Sequence, residues 1–207
     1  MSKNIISFVL ISLISIATVK AQDNNLLHDL MSEQTADSAL LPQKMLVTQR
    51  LLWGEKGLMR ISGIAPLTIE SRKKEMQVRR GSLKVHQALG FITLGGMVAQ
   101  GIVGSQLYKG NYKVKDLHEG LASAINVTYS LGAVTSLLAP PPMVNRDKKI
   151  TSLRLHKWLS VVHMSGMIAT NVLAGLAEEN VKYKSAHRAA AYTAFASFAA
   201  AMVVIKF

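Results

Sequence analysis

Four stretches without a charged residue dominate the second half of the chain: 87–108, 120–145, 158–177 and 189–205. About 20 consecutive apolar residues of helix cross the hydrocarbon of a bilayer. The first three stretches meet that length, and the fourth, closed by Lys206, is marginal. The triple Pro140-Pro141-Pro142 cuts the second one short, because proline lacks an N–H and clashes with the preceding helical turn. Connections of similar length predict antiparallel neighbours in an up-and-down arrangement. The expected fold is all-α: an integral membrane four-helix bundle over 82–207, preceded by an extramembrane or interfacial segment over 22–81.

Residues 1–21 have the form of an export signal. Lys3 gives a weakly basic start, 5–18 is an apolar run too short for an ordinary span, and small Ala21 precedes Gln22 and Asp23. An uncleaved anchor helix is the alternative. Residues 23–39 are polar. Residues 45–60 place apolar side chains at partly helical spacing beside several cations, which suits an amphipathic helix on a membrane surface, although Gly54 and Gly57 weaken it. Trp53 and its neighbouring leucines are the expected contact face for a periplasmic partner. Pro66 interrupts the chain, and the basic run 72–80 leads into the first apolar stretch.

Composition narrows the class. Of the 207 residues, 49% are hydrophobic and 17% charged, below the roughly 25% charged of a typical soluble domain. The net charge is +12. Its cations gather at the ends of the apolar stretches (Arg79, Arg80 and Lys84; Lys113 and Lys115; Lys148 and Lys149), where they can reach lipid phosphates. The lipid bilayer is therefore the expected partner, and no nucleic-acid-binding signature is present. A homo-oligomer stays open. The chain has no cysteine, which excludes disulfides, thiolate metal sites and covalently attached c-type haem.

Histidine carries the candidate chemistry. His28 lies in the polar N-terminal segment and receives no role. His86, His118, His156 and His187 each stand at the start of one apolar stretch, and His163 lies two turns inside the third. Because successive helices run in opposite directions, His86 and His156 share one membrane face and His118 and His187 the other. Each pair is placed to hold one haem iron from both sides, giving a relay of two haems across the bilayer. Interfacial histidines that merely reach water are the plainer reading of any one of these residues. Four at matching positions argue for a site, since ionisable groups at membrane depth are functional by default.

The segments Ser152-Leu153-Arg154-Leu155-His156-Lys157-Trp158 and Leu117-His118-Glu119-Gly120-Leu121, with looser counterparts around His86 and His187, resemble the cytochrome b561 family. The resemblance covers about residues 82–206. It departs from the family pattern at Arg154 and Glu119, and it lacks a clear ascorbate-binding motif. It implies two haems b, ligated by His86 with His156 and by His118 with His187, and transmembrane oxidoreductase activity. His163 is the second choice in place of His156.

Location follows from the same features. A cleaved signal puts 22–81 in the periplasm of a bacterial-type inner membrane. It also puts more cations outside (Arg72 to Lys84 and Arg146 to Lys157) than inside (Lys109 to Lys115 and Lys182 to Arg188), against the positive-inside tendency. The expected function is electron transfer to a quinone or ferric chelate, whose donor and acceptor the sequence leaves open. Two alternatives come from other classes. One is a metal-ion transporter with soft ligands His163, Met164 and Met167. The other is a haem-free membrane assembly protein.

Overall fold

A computed structural model describes residues 40–143 and 151–206. The expected signal segment, His28, and the loop cations Arg146, Lys148 and Lys149 lie outside them. Among the described residues all regular structure is helical. Two short helices, α1 (Val47–Trp53) and α2 (Leu58–Ile61), precede four long ones: α3 (Ile69–Tyr108), α4 (Lys115–Leu137), α5 (Ser152–Glu179) and α6 (Lys184–Lys206).

Local chemistry sets the ends of these helices. Thr68 and Thr151 cap α3 and α5, their hydroxyls accepting from the backbone N–H of Ser71 and Arg154 at 3.2 Å each. Gly110, at φ +94°, turns the chain out of α3. Both helical hairpins then turn alike. A single 3-10 turn, Tyr112–Val114 or Val181–Tyr183, leads into a helix opening on Lys115 or Lys184.

Three of these segments are long and apolar enough to cross a membrane: Ile69–Tyr108, Ser152–Glu179 and Val181–Ile205. The expected second span differs. α4 falls below that hydropathy because Asn126, Thr128, Tyr129, Ser130 and Thr135 dilute its aliphatic residues. Several of those groups are paired across helices. Thr93 donates to Thr128 at 2.9 Å, the Asn126 and Asn171 amides exchange hydrogen bonds at 2.7 and 3.1 Å, and Tyr129 meets His163 at 2.7 Å. Meanwhile Ile92, Ile102, Val127, Leu131, Val161, Ile168, Val172 and Val203 all point outward. Polar groups facing neighbouring helices, with aliphatic ones on the outside, is the arrangement that lipid selects.

α3 packs along α4, and α5 along α6, while the two hairpins meet chiefly through α3 and α6. The central core is Met97, Ile125, Met167, Ala194 and Phe198. At Gly166 an added Cβ would lie 3.0 Å from the Ala194 Cβ and 3.1 Å from its Cα, so glycine sets the close approach of α5 to α6.

The 45–60 segment departs from the single surface helix expected of it. It breaks at Gly54 and packs against the end of α4, where six consecutive carbonyls are each taken by a side chain. Thr48 donates to Leu137, Trp53 to Leu138 and Gln49 to Ala139, at 2.7, 2.9 and 3.1 Å. Arg79 donates to Pro140 at 2.6 Å, and Arg72 to Pro141 and Pro142 at 3.0 and 3.3 Å. The end of a helix leaves carbonyls without partners, and the prolines that follow supply no N–H of their own. Two expectations are corrected here. Trp53 is 8% exposed, so its ring is turned into the fold, while Leu51 and Leu58 of the same expected face are exposed. Arg79 spends its charge on a buried turn instead of a lipid phosphate. Arg72, fully buried, and Arg60 both pair with Glu75.

Candidate functional site

The four histidines at the expected helix starts come together in two pairs. The rings of His86 on α3 and His156 on α5 lie 6.3 Å apart between centroids, at 84° to one another. Those of His118 on α4 and His187 on α6 lie 6.4 Å apart, at 75°. In each pair the two histidines belong to different hairpins, on helices that do not pack closely against each other. All four rings are partly buried.

Three of the rings are fixed by the same device. His86 Nδ1 lies 2.8 Å from the Gly132 carbonyl, His156 Nδ1 lies 2.8 Å from that of Ala201, and His187 Nδ1 lies 2.9 Å from that of Thr170. A carbonyl only accepts, so each Nδ1 carries the proton. In the neutral ring Nε2 is then the nitrogen left free to bind a metal, and the bond to the carbonyl orients the ring. His118 differs. Gln100 Nε2 sits 3.4 Å from His118 Nε2 and donates to the His118 carbonyl at 3.0 Å. His118 Nδ1 and Gln100 Oε1 are both buried without a hydrogen-bond partner. Gly104 makes room for this ring, since a Cβ there would come within 2.9 Å of His118 Cε1.

A register links these residues. Fourteen positions after each histidine stands the residue that supports the histidine of the other plane on the adjacent helix: Gln100 after His86, Gly132 after His118, Thr170 after His156 and Ala201 after His187. Fourteen residues are four turns, so the two planes stand about 21 Å apart along the helices. Halfway between, at Thr93, Ile125, His163 and Ala194, all four helices are buried. Each helix therefore presents a two-heptad stripe to the centre of the molecule. The periodicity is present in the sequence, but no composition-based signal marks Gly132, Thr170 or Ala201, because their contribution is a backbone carbonyl.

His163 occupies that middle layer and belongs to neither pair. Its Nδ1 meets the Tyr129 hydroxyl at 2.7 Å, and its ring packs edge-on against Tyr129 and Phe198 at 5.6 and 5.1 Å between centroids. Met167, one turn further on, is a core residue. Among the described residues no three His, Asp or Glu side chains converge as a metal site.

The chemistry of the donor set bears on which group fits. A metal ion bound at about 2 Å from one nitrogen of each of two imidazoles spaces their ring centres by about 6 Å, as both pairs are spaced. Two imidazoles are a complete protein ligand set for a haem iron and half of a set for a tetrahedral ion such as zinc, and among the described residues no third His, Asp or Glu joins either pair. The residues present therefore fit a planar tetradentate group better than a bare cation.

The plane of His118 and His187 opens toward exposed aromatic and cationic residues. Arg188 lies over the Tyr108 ring at 4.5 Å and the Tyr192 ring at 5.5 Å, and Lys184 lies over Tyr112 at 5.7 Å. No family model, curated protein or solved structure matches the chain.

Proposed function

We propose that this protein carries electrons across a membrane through two b-type haems, in a four-helix transmembrane bundle of the cytochrome b561 kind. His86 and His156 would hold one haem and His118 and His187 the other. The observation that carries this reading is the pairing itself: two histidine couples, at 6.3 and 6.4 Å between ring centres, from helices of opposite hairpins.

The residues have separable tasks. The four imidazoles would supply the nitrogens that hold the two haem irons. Gly132, Ala201 and Thr170 hold three of them in the tautomer that leaves Nε2 available. Met97, Ile125, Met167 and Phe198 pack around the paired polar groups of the buried middle layer, Thr93 with Thr128 and Tyr129 with His163, and keep water from the space between the planes. The haems would supply reversible one-electron exchange, and with two imidazoles committed to each iron an external partner would exchange electrons without binding the metal. Tyr108, Tyr112 and Arg188, exposed beside the second plane, are where a quinone or ferric chelate would do so.

In this reading residues 1–21 direct export and are removed. The chain is then a multi-pass protein of a bacterial-type inner membrane, with 22–81 on the periplasmic side. A soft-ligand ion path through His163, Met164 and Met167 is disfavoured, because His163 and Met167 are already committed to the core.

A reduced-minus-oxidised absorbance spectrum of detergent-purified protein, with a haem count, tests the function. The expected result is a b-type spectrum with two haems per chain, falling to one in His86→Ala and one in His118→Ala. Folded protein that stays colourless when haem is supplied overturns it.

A further inference from the structure

Three of the four paired histidines rest on a backbone carbonyl, and one does not. The exception occupies the same register position as the others. The residue fourteen after His86 is Gln100, and it faces His118 as Gly132 faces His86. It differs in meeting the ring with a side chain. Two buried polar atoms are left without partners at this one place, His118 Nδ1 and Gln100 Oε1. One is a nitrogen that can carry a proton, and the other is an acceptor. Buried polar atoms are seldom left unpaired, so two complementary orphans on neighbouring side chains point to an arrangement that joins them.

We infer that Gln100 is the positioning residue for His118: when haem binds, the ring turns so that Nδ1–H donates to Gln100 Oε1, releasing Nε2 toward the iron. With the Gln100 amide turned over as well, giving up its 3.0 Å bond to the His118 carbonyl, His118 takes the geometry the other three histidines already have and both orphans are satisfied. This inference rests on the two-haem reading.

The consequence is an asymmetry between the planes. A hydrogen bond from Nδ1 makes an imidazole more electron-rich and favours ferric iron. Backbone carbonyls provide it at His86, His156 and His187, where side-chain substitution leaves the acceptor in place. At His118 a side-chain amide provides it, so residue 100 sets the reduction equilibrium of one haem and leaves the other untouched.

The test is a redox titration of the haem-loaded protein, following both haems, in Gln100→Leu and Gln100→Glu. Leucine removes the acceptor, and the His118 haem becomes easier to reduce by about tenfold in its one-electron equilibrium. Glutamate keeps the length and strengthens the acceptor, and the same haem becomes harder to reduce. The other haem stays where it was in both. Opposite shifts confined to one haem separate this role from loose packing, which would move both variants the same way. If Gln100→Leu does not fold, the glutamate variant carries the test alone. Two bound haems whose midpoints are unmoved in the variants tested overturn the inference and leave the electron-transfer reading standing. Absence of haem from the wild-type protein overturns both.

Discussion

The two ends of the molecule are built on opposite plans. At the end near His86 the α3–α4 side is sealed, whereas the start of α5 beside His156 leaves Trp158 exposed. Arg72, Pro140 and Pro141 are fully buried, and five side chains, Arg72 serving twice, take six successive carbonyls at the proline turn. At the end near His118 and His187 the chain is open. Tyr108, Tyr112 and Tyr192 are exposed, and cations lie across their faces instead of pairing with carboxylates. Both ends are rich in arginine, lysine and aromatic residues, so composition does not separate them. The difference is burial. A sealed end spends its polar groups on stability, while an open end keeps them available to a partner.

Glu75→Ala strikes the sealed end hardest. It leaves Arg60 and Arg72 buried without their shared carboxylate, and removing one partner of a buried ion pair costs about 3–5 kcal/mol. Denaturation of the detergent-solubilised protein should show that loss. A change within measurement error would mean that water reaches this cluster and that the two ends are not as different as their burial indicates. Trp53→Phe is the milder probe. It keeps an aromatic side chain, though a smaller one, and strands the Leu138 carbonyl, at a cost of about 1–3 kcal/mol. Loss from both variants, with the spectrum of any bound haem unaltered, would assign the sealed end to structure alone.

These probes touch what the sequence did not reveal. The number and order of the four long helices follow from the charge-free runs, but their starts do not: the first is continuous from Ile69, 18 residues before its run, through the basic residues 72–80 that the sequence places outside the bundle. Depth alone was enough to pair His86 with His156 and His118 with His187. The proline-turn cap is another matter. Thr48, Gln49 and Trp53 meet carbonyls 85 to 90 positions further along the chain, and no local pattern encodes such a match. Arg79 shows the same limit. Beside an apolar stretch it looks like a lipid anchor, and only the fold brings Pro140 within reach. The carbonyls of Gly132, Thr170 and Ala201 are hidden for a different reason, since any residue type can offer one.

Between the two ends lies the middle layer, and Thr93→Val tests its weight. The variant removes the hydroxyl that bonds Thr128 while keeping the shape of the side chain. Hydrogen bonds between helices in lipid contribute about 1 kcal/mol or less. The expected loss is therefore smaller than at the sealed end, with both histidine pairs retained. A loss as large as that of Glu75→Ala would place the stability of the protein in its middle and not in its cap.

Arg188→Ala at the open end should change stability least. Its guanidinium stacks on two exposed rings, and an exposed cation–π contact is worth about 0.5 kcal/mol. Its larger effect is expected on encounter. A cation at the mouth of a site raises the local concentration of anionic partners and speeds their approach, and added salt screens that gain. With an anionic ferric chelate as oxidant, reoxidation of the reduced protein should be slower in Arg188→Ala and less sensitive to salt, while a neutral quinone should be little affected. Glu75→Gln, wherever it folds, should leave both rates unchanged, because Glu75 is buried in the capped turn and stands at no exposed edge. If the arginine variant reacted with the chelate as the wild type does, and the glutamine variant did not, electrons would be leaving through the sealed end, and exposure would be a poor guide to where this protein meets its partner.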